Sequence, residues 1–435
     1  MPDNGSAPLV LEEGWFNDEV LYQVNTRQHT EAGTFDGVRE RLDEIEALGA
    51  TMLWFKPIHP IGEVNRKGTL GSPYAATDYK AINPEHGTPE QFRALIDEAH
   101  RRGIAVILDF VANHTAWDHE WTEAHPEWYA EGDDGGFRPP NEDWSDVIQL
   151  DHGSEAMHDA MAEAMAWWVR EFDIDGFRLD VAGLVPMPFW ERVHADLNEL
   201  KPVFMLAEAT GPEFHTVAFD ATYAWYFGSM AERVARGEAT ARELADAIAE
   251  DQRRYPEHAI RMHFTSNHDW NSWNGTVWER YGDAASLFAA MTFVLDGMPL
   301  IYNGQEAGLD RRLEFFEKDP IEWRDHPKRE LYTTLAHLKR ENPTLHHGGA
   351  GGDQRVLPVT DEERTLALVR RATDDPDARD VLMLANLSDA PATVRVTAGS
   401  AAGAYTDAMT GERVLVDALH QESLGPWGWR VLVAE

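Results

Sequence analysis

The chain contains no cysteine among its 435 residues, and it has no long apolar run. The absence of cysteine excludes disulfide bonds and thiolate metal sites. No stretch reaches the roughly 18 apolar residues that a transmembrane helix requires, so no membrane span is predicted. The N-terminal segment MPDNGSAPLVLEE lacks a basic region followed by an apolar one, so it predicts no signal peptide. The sequence therefore predicts a soluble, cytoplasmic protein, or a secreted one if a leader has been removed.

Positive charge is also scarce, because 38 lysines and arginines stand against 76 aspartates and glutamates, for a formal net charge of −38. A surface this negative repels nucleic acid and anionic membranes, and neither is a predicted partner. Only seven of the basic residues are lysines. Abundant acid with little lysine is typical of halophilic proteins, whose self-repulsion is screened by salt. The alternative is an ordinary acidic protein, and the two differ in how their stability responds to KCl.

Strand-like and helix-like segments alternate through about residue 344. The hydrophobic content is 43%, enough for a large core. About eight strand and helix pairs in succession predict an α/β fold, a (β/α)8 TIM barrel over residues 1–344. A single barrel accounts for a length that would otherwise indicate about three domains.

Two regions depart from this alternation. Residues 115–149, after the third strand, are rich in Trp, His, Pro, Gly and Asp. They predict a short irregular insert, and a loop of this length is usually functional. From residue 345 to residue 435, short β runs separated by turn residues predict a C-terminal antiparallel β-sandwich domain.

Polar side chains follow four of the predicted barrel strands. The third strand leads into Asp109 to His114, the fourth ends with Arg178 and Asp180, the fifth with Glu208, and the seventh with Asn267 to Asp269. In TIM barrels the reactive residues come from the C-terminal strand ends, which meet at one rim. A single aspartate there is usually a turn residue, but four converging strand ends favour an active site.

Three of these acids have the chemistry of a retaining glycoside hydrolase. Asp180, Glu208 and Asp269 can act as nucleophile, proton donor and stabiliser of an oxocarbenium-like transition state. Retention needs two carboxyl groups about 5 Å apart, and adjacent strands lie about 4.8 Å apart. Arg178 precedes Asp180 by two residues, so both side chains face the same way. We expect the Arg178 charge to hold Asp180 ionised.

Five ordered blocks resemble the α-amylase family, glycoside hydrolase family 13, and this resemblance covers nearly the whole chain. They are DFVANH (Asp109 to His114), GFRLDVA (Gly176 to Ala182), LAEA (Leu206 to Ala209), FTSNHD (Phe264 to Asp269) and GMPLIYNGQE (Gly297 to Glu306). One block alone would be weak evidence, whereas the ordered set is highly specific.

The resemblance implies a role for each matching position. Asp180 would be the nucleophile, and Glu208 would be the general acid that later activates water. Asp269, His114 and His268 would bind the sugar in the −1 subsite, next to the bond that is cleaved. By the same resemblance, Arg178 would orient Asp180, Tyr74 would be the aromatic platform under that sugar, and Asp78 would support it. Tyr79 is the alternative platform.

The sequence also departs from the family pattern. Many members carry a Lys-His pair after the nucleophile, where this chain has Gly183 and Leu184, so contacts to the leaving group are expected to differ. Ala207 stands where glycine often precedes the acid. The insert is short for the family, which predicts an open cleft.

Calcium is the only cofactor that the resemblance suggests, and no organic cofactor is expected. Asn113 occupies the usual calcium-ligand position, and a structural asparagine is the alternative. Additional oxygen ligands could come from the insert, at Asp118, Asp133, Asp134 and Asp143.

Three functions remain open at this point. The first is a retaining hydrolase of α-1,4 bonds in starch or maltooligosaccharides, and an α-1,6-acting enzyme or α-glucosidase is a variant of it. The second is a glycosyl transferase of the family, similar to 4-α-glucanotransferases or trehalose synthases. The third is an inactive binding or scaffolding barrel, which retention of all three acids disfavours. The sequence gives no indication of the oligomeric state.

Six tryptophans in loops could stack on sugar rings. They are Trp117, Trp121, Trp128, Trp144, Trp270 and Trp273.

Overall fold

The computed structural model describes residues 11–12, 14–397 and 399–435. The segment from which the absence of a signal peptide is predicted therefore lies largely outside the described residues. Of the helices that the structure describes, none is both long and apolar enough to cross a bilayer.

Eight parallel strands close into a barrel, which confirms the predicted TIM-barrel fold. Each barrel strand pairs with the barrel strands that precede and follow it in sequence, and the last pairs with the first. The barrel strands are β1 (Leu21–Val24), β2 (Met52–Phe55), β3 (Ala105–Phe110), β6 (Gly176–Leu179), β7 (Phe204–Ala207), β8 (Ala221–Tyr223), β9 (Ile260–His263) and β10 (Met298–Tyr302), with β4 (His114–Ala116) and β5 (Val147–Gln149) in the insert.

Helices surround the barrel. Several begin at capping residues, as at Thr88, whose side chain accepts from the backbone N–H of Gln91 while Gln91 reaches back to Thr88. The helices are α1 (Thr26–His29), α2 (Phe35–Arg39), α3 (Leu42–Leu48), α4 (Pro89–Arg101), α5 (Trp121–Ala124), α6 (Glu155–Phe172), α7 (Met187–Asn198), α8 (Trp225–Ala235), α9 (Ala241–Arg254), α10 (Val277–Tyr281), α11 (Ala285–Val294) and α12 (Lys328–Glu341).

Alternate residues of each barrel strand face the barrel interior and the helices. In β2, Met52 and Trp54 belong to the interior cluster, whereas Leu53 and Phe55 pack in the cluster beneath the helices. This period of two is the ordinary consequence of strand geometry. The interior is thus filled by side chains, and the open space lies above the strand ends.

The chain beyond α12 forms antiparallel sheets, as predicted. A six-stranded sheet and a two-stranded sheet share a separate apolar core that includes Val369, Leu382 and Val394. The predicted boundary near residue 344 falls between the end of α12 and the start of β11. These strands are β11 (Asp353–Leu357), β12 (Thr365–Arg371), β13 (Val381–Asn386), β14 (Ala392–Val396), β15 (Gly403–Asp407), β16 (Arg413–Val416), β17 (His420–Leu424) and β18 (Trp429–Ala434).

The predicted insert is built on a short antiparallel hairpin. His114 in β4 pairs with Gln149 in β5, and the loop between them carries most of the insert. Trp121, Trp128 and Tyr129 are buried within it. These side chains belong to the same apolar cluster as the barrel strands and helices, so the insert packs onto the barrel.

Candidate active site

A cavity of about 620 Å³ opens at the C-terminal ends of the barrel strands. Of the residues predicted for the site, six line it: Tyr74, His114, Asp180, Glu208, His268 and Asp269. The structure therefore brings together side chains from five separate segments of the sequence. Arg178 lies beneath them and is completely buried.

Arg178 holds the two predicted reactive acids. Its Nη1 donates to Asp180 Oδ1 at 3.0 Å, and its Nη2 lies 2.8 Å from Glu208 Oε2. Leu179 pairs with Ala207, so the residues that follow these two positions end adjacent strands at the same level. Gly176 allows this close pairing, because a Cβ there would collide with the carbonyl oxygen of Phe204. Both carboxylates thus flank one guanidinium.

The residue after Asp180 has strained backbone. Val181 has a φ of 38°, in the left-handed region that a β-branched residue rarely adopts. Its N–H donates to Glu208 Oε2 at 2.8 Å. Strain of this kind persists where the surrounding structure holds it, often at functional sites. Here the turn directs a donor onto the acid of the neighbouring strand.

Asp109 forms a buried centre behind the cavity. Its Oδ1 accepts from Arg178 Nη1 at 2.8 Å, and its Oδ2 accepts from the Tyr74 hydroxyl at 2.9 Å and from Trp54 Nε1 at 3.2 Å. A fully buried carboxylate is tolerated because these donors satisfy it. Asp109 lies in the motif DFVANH. The motif alone did not reveal that Asp109 anchors Tyr74 and Arg178.

Hydrogen bonds set the tautomer of His268. The Gln23 Oε1 atom accepts the backbone N–H of His268 at 3.1 Å, so Gln23 presents its Nε2 to His268 Nδ1 at 2.7 Å. His268 Nδ1 is therefore an acceptor, and Nε2 carries the proton. That Nε2 lies 2.7 Å from the Tyr74 hydroxyl and 3.2 Å from Asp269 Oδ2. Gln23 lies in the first barrel strand, and no sequence motif marks it as a site residue.

The two histidines of the cavity stay uncharged near neutral pH. Burial lowers the pKa of His114 to about 3, and burial with the nearby Lys56 and Arg178 charges lowers that of His268 well below its usual value. His114 Nδ1 lies 3.2 Å from the Asn113 amide nitrogen, a donor, which leaves its Nε2–H available. Both imidazoles can thus hydrogen-bond a neutral sugar without repelling a developing positive charge.

Burial acts against the ionised forms of the cavity acids. The pKa of Asp180 is raised well above its usual value by burial and by Glu208, and the Arg178 charge opposes both. Burial and Glu208 likewise raise the pKa of Asp269 to about 7. The expected Arg178 contact is present, and its charge favours the ionised form of Asp180 against the effect of burial. Since like charges this close do not all ionise readily, the cluster retains a proton that can be transferred.

A second buried cation faces the acids. Lys56 follows β2, lies 4.2 Å from the ring centre of Phe315 and 5.5 Å from that of Tyr74, and has no hydrogen-bond partner for its ammonium among the described residues. Burial lowers its pKa to about 7, against the opposing charges of Asp269 and Asp109. Lys56 was not among the residues predicted for the site, and its only sequence signal is its place at the end of a barrel strand.

Several candidates lie outside the cavity. Asp78 accepts the backbone N–H of Lys80 at 2.8 Å and is absent from the cavity lining in the described part of the chain. Tyr79 is buried and donates to the carbonyl oxygen of Val111 at 2.7 Å, whereas Tyr74 reaches the cavity. Of the loop tryptophans, Trp144 and Trp273 line the cavity.

The residues around Asn113 do not fit a calcium site. The Asn113 Oδ1 atom accepts from Gln149 Nε2 at 3.1 Å, and its backbone oxygen accepts from Gln149 Nε2 and from Leu150 N. Asp118 is engaged with the N–H of Glu63 at 2.8 Å. Across the described ranges, no three His, Cys, Asp or Glu side chains are grouped to hold a metal ion. These amide interactions match those of a structural asparagine.

Comparison with known proteins agrees with this geometry. The sequence profile of the alpha amylase catalytic domain matches residues 22–145 and 141–342. The maltogenic α-amylase AmyB of Thermotoga neapolitana has the same fold, with a TM-score of 0.87 and 27% identity over 96% of this chain and 98% of that one. An α-amylase of Lactobacillus plantarum gives a TM-score of 0.85 and 31% identity over 97% and 99% of the two chains.

Curated relatives extend the comparison. The chain is 29% identical to the α-amylase MalA of Haloarcula japonica and 30% identical to a Pseudomonas aeruginosa α-1,4-glucan:maltose-1-phosphate maltosyltransferase, over 92% and 79% of its length. It spans 59% and 55% of the lengths of these two relatives. With a matching catalytic-domain profile, a shared barrel and three acids at one rim, the chain belongs to the α-amylase family.

Proposed function

We propose that this protein is a retaining hydrolase that cleaves α-1,4 bonds of maltooligosaccharides or starch by double displacement. The observation that carries the proposal is the placement of Asp180 and Glu208 on one guanidinium at adjacent strand ends, with Asp269 in the same cavity. Adjacent strands about 4.8 Å apart suit the carboxyl separation of about 5 Å that retention needs. Enzymes of this family act on α-glucans.

In the first step, an Asp180 oxygen attacks the anomeric carbon of the sugar above Tyr74. The bond between that carbon and the glycosidic oxygen breaks, and Glu208 gives its proton to the departing oxygen. The chain on the far side of the bond leaves with a free hydroxyl, and the glycosyl unit is held as an ester of Asp180. Asp269 and the neutral His268 and His114 hydrogen-bond its hydroxyls.

In the second step, Glu208 accepts a proton from water, and the hydroxide oxygen attacks the anomeric carbon. The ester bond to Asp180 breaks, so both carboxyl groups return to their starting states. Two inversions give net retention, and the first product is the α-anomer. The N–H of Val181, 2.8 Å from Glu208 Oε2, orients this carboxyl group in both steps.

A second candidate is transfer of the glycosyl unit to another sugar, with an acceptor hydroxyl in place of water. The observation that favours it is the leaving-group side of the site, where Gly183 and Leu184 stand and Leu184 is 57% exposed. The exposed Leu184 side chain offers an apolar surface on which an acceptor sugar can pack. The Pseudomonas relative, a maltosyltransferase that uses maltose-1-phosphate, shows that both activities occur among the relatives.

Product analysis separates these functions. We expect maltoheptaose to give shorter maltooligosaccharides, with the α-anomer formed first in proton NMR spectra. Incubation with maltose-1-phosphate and maltohexaose, followed by chromatography, is the control for transfer. Elongated products or phosphate release would favour the transferase, a β-anomeric first product would contradict retention, and inactivity on starch, pullulan, sucrose and maltose would support the scaffolding hypothesis.

We also propose that the protein is adapted to high salt. The support is the net charge of −38 and the similarity to an α-amylase of Haloarcula japonica. Thermal unfolding followed by circular dichroism in 0.1 to 3 M KCl should show a melting temperature that rises with salt. Because counterions screen exposed acid pairs, most of the rise is expected at the lower concentrations. A highest melting temperature in low salt would contradict the adaptation.

A further inference from the structure

The position of the acid sets the direction in which the substrate lies. Glu208 ends β7 and protonates the departing oxygen, so the leaving group lies toward the loops of β6, β7 and β8. The glycone, the part of the chain retained on the enzyme, must extend the other way. In the barrel order, β7 is four strands from β1, so the glycone lies toward the loops that follow β10, β1 and β2.

Two of these loops are tied together next to the cavity-lining residues Lys67 and Phe316. The β2 loop (residues 56–80) and the β10 loop (residues 303–327) meet at Thr69 and Glu317. The Thr69 N–H donates to Glu317 Oε1 at 2.7 Å, and the Thr69 hydroxyl donates to Oε2. Gly68, with a φ of 64°, lets the β2 loop pack against Phe316, because a Cβ there would crowd that side chain.

Further ties make this wall continuous. The Lys67 Nζ atom lies 3.0 Å from Asp146 Oδ1 and also donates to the Asp143 carbonyl oxygen, which joins the β2 loop to the insert. On the other side, the Gln28 Nε2 atom donates to the Glu314 carbonyl oxygen at 2.7 Å, which joins the β1 segment to the β10 loop. The insert and three barrel loops therefore hold one another across the glycone end.

The floor leading to this wall is aromatic. Phe315 lies 6.1 Å from Tyr74 between ring centres, with the rings inclined by 21°, and Trp273 lies 5.2 Å beyond Phe315. Sugar faces stack well on such rings. Trp273 is 56% exposed, and it lines the cavity together with Phe315, Phe316 and Lys67. The surface thus offers stacking for a short glycone that ends at the tied loops.

We propose that these ties close the glycone side of the cleft, so that the protein acts on the non-reducing end of an α-glucan and releases products of one short length. Thr69, Glu317 and Lys67 are the specificity-determining residues of this wall. The leaving-group side, at Gly183 and the exposed Leu184, accepts chains of any length. This inference rests on the proposed function, because it specifies how the same site meets its substrate.

A substrate pair tests the inference. Maltoheptaose with a chromophore at its reducing end is offered with the non-reducing end either free or blocked by a 4,6-ethylidene group. With the loss of each substrate followed directly by chromatography and no auxiliary α-glucosidase present, the free substrate should be cleaved at least 100-fold faster than the blocked one, and one short product should appear. Equal rates with mixed products would overturn the inference and leave the hydrolase standing. Failure to cleave either substrate would overturn the proposed function and this inference with it.

Variants test the residues of the wall. Glu317→Ala combined with Thr69→Ala should raise cleavage of the blocked substrate at least 10-fold relative to the free one and broaden the product lengths. Lys67→Ala should act in the same direction, and it provides a second test if the double variant does not fold. The matched control is Glu322→Ala, an exposed residue of the same loop. An unchanged ratio of the two rates in folded wall variants would overturn the assignment of these residues.

Discussion

Asp180→Asn should lower kcat on maltoheptaose by at least about 10⁴-fold while the protein remains folded, because the amide cannot form the glycosyl ester. Arg178 keeps its contacts with Asp109 and Glu208, at 2.8 Å each, so the buried guanidinium is not left unpaired. Activity is measured by product chromatography, and folding by circular dichroism. Asp246→Asn, an exposed position on α9, is the matched control and should keep wild-type activity.

Rescue by a small anion makes this prediction specific to the nucleophile. Asp180→Ala opens space beside the anomeric carbon, where azide can attack a substrate with a good leaving group, such as α-maltosyl fluoride. A single displacement by azide expels fluoride and inverts the configuration, so the product should be a β-glycosyl azide, identified by proton NMR. An Asp180→Asn variant within 10-fold of wild-type activity, or an α-glycosyl azide, would contradict the assignment of Asp180.

Glu208→Gln should lower kcat on maltoheptaose by about 10²- to 10⁴-fold, because the glutamine cannot protonate the departing oxygen. The first step with α-maltosyl fluoride needs no proton on the leaving group, so it should be largely preserved. Glutamine also cannot activate water in the second step, and the ester of Asp180 should accumulate. Rapid quenching followed by mass spectrometry should find the added glycosyl mass on the peptide that contains Asp180.

The control for this experiment is Glu199→Gln, an exposed position at the end of α7 that lies away from the cavity. It should turn over both substrates at wild-type rates and accumulate no ester. If Glu208→Gln lost activity on the fluoride and on maltoheptaose to the same extent, Glu208 would be needed for binding or folding and not for proton transfer.

The fold, and the meeting of the candidate acids at one rim, could be predicted because both depend on local patterns. Alternating strand and helix segments predict the barrel, and the rule that barrel strands carry reactive residues at their C-terminal ends selects Asp180 and Glu208 from 76 acidic residues. The cavity lining includes both, together with Asp269. Their shared location follows from topology, since parallel strands in one barrel bring distant residues to a common rim.

The rest of the site depends on contacts that sequence spacing does not report. Lys56 lies near the ring of Tyr74 from its own loop and near the ring of Phe315, which comes from a loop about 260 residues later in the chain. The resemblance implies that Asp78 supports Tyr74, and in the structure its carboxylate accepts the backbone N–H of Lys80 in the same loop. Loop conformations depend on many weak tertiary contacts, so their residues carry little local signal.

Three properties of this protein were determined by the sequence alone. The scarcity of basic residues determined its negative charge, and the missing cysteine excluded disulfides. The ordered motifs determined the architecture that carries the acids. Only the tertiary structure decided how those acids are paired, which cations face them and where the cleft ends. The physical reason is that composition and periodicity act over short distances along the chain. The pKa values of Asp180 and Asp269, and the wall made by Thr69, Glu317 and Lys67, arise instead from burial and from contacts between loops that are distant in sequence.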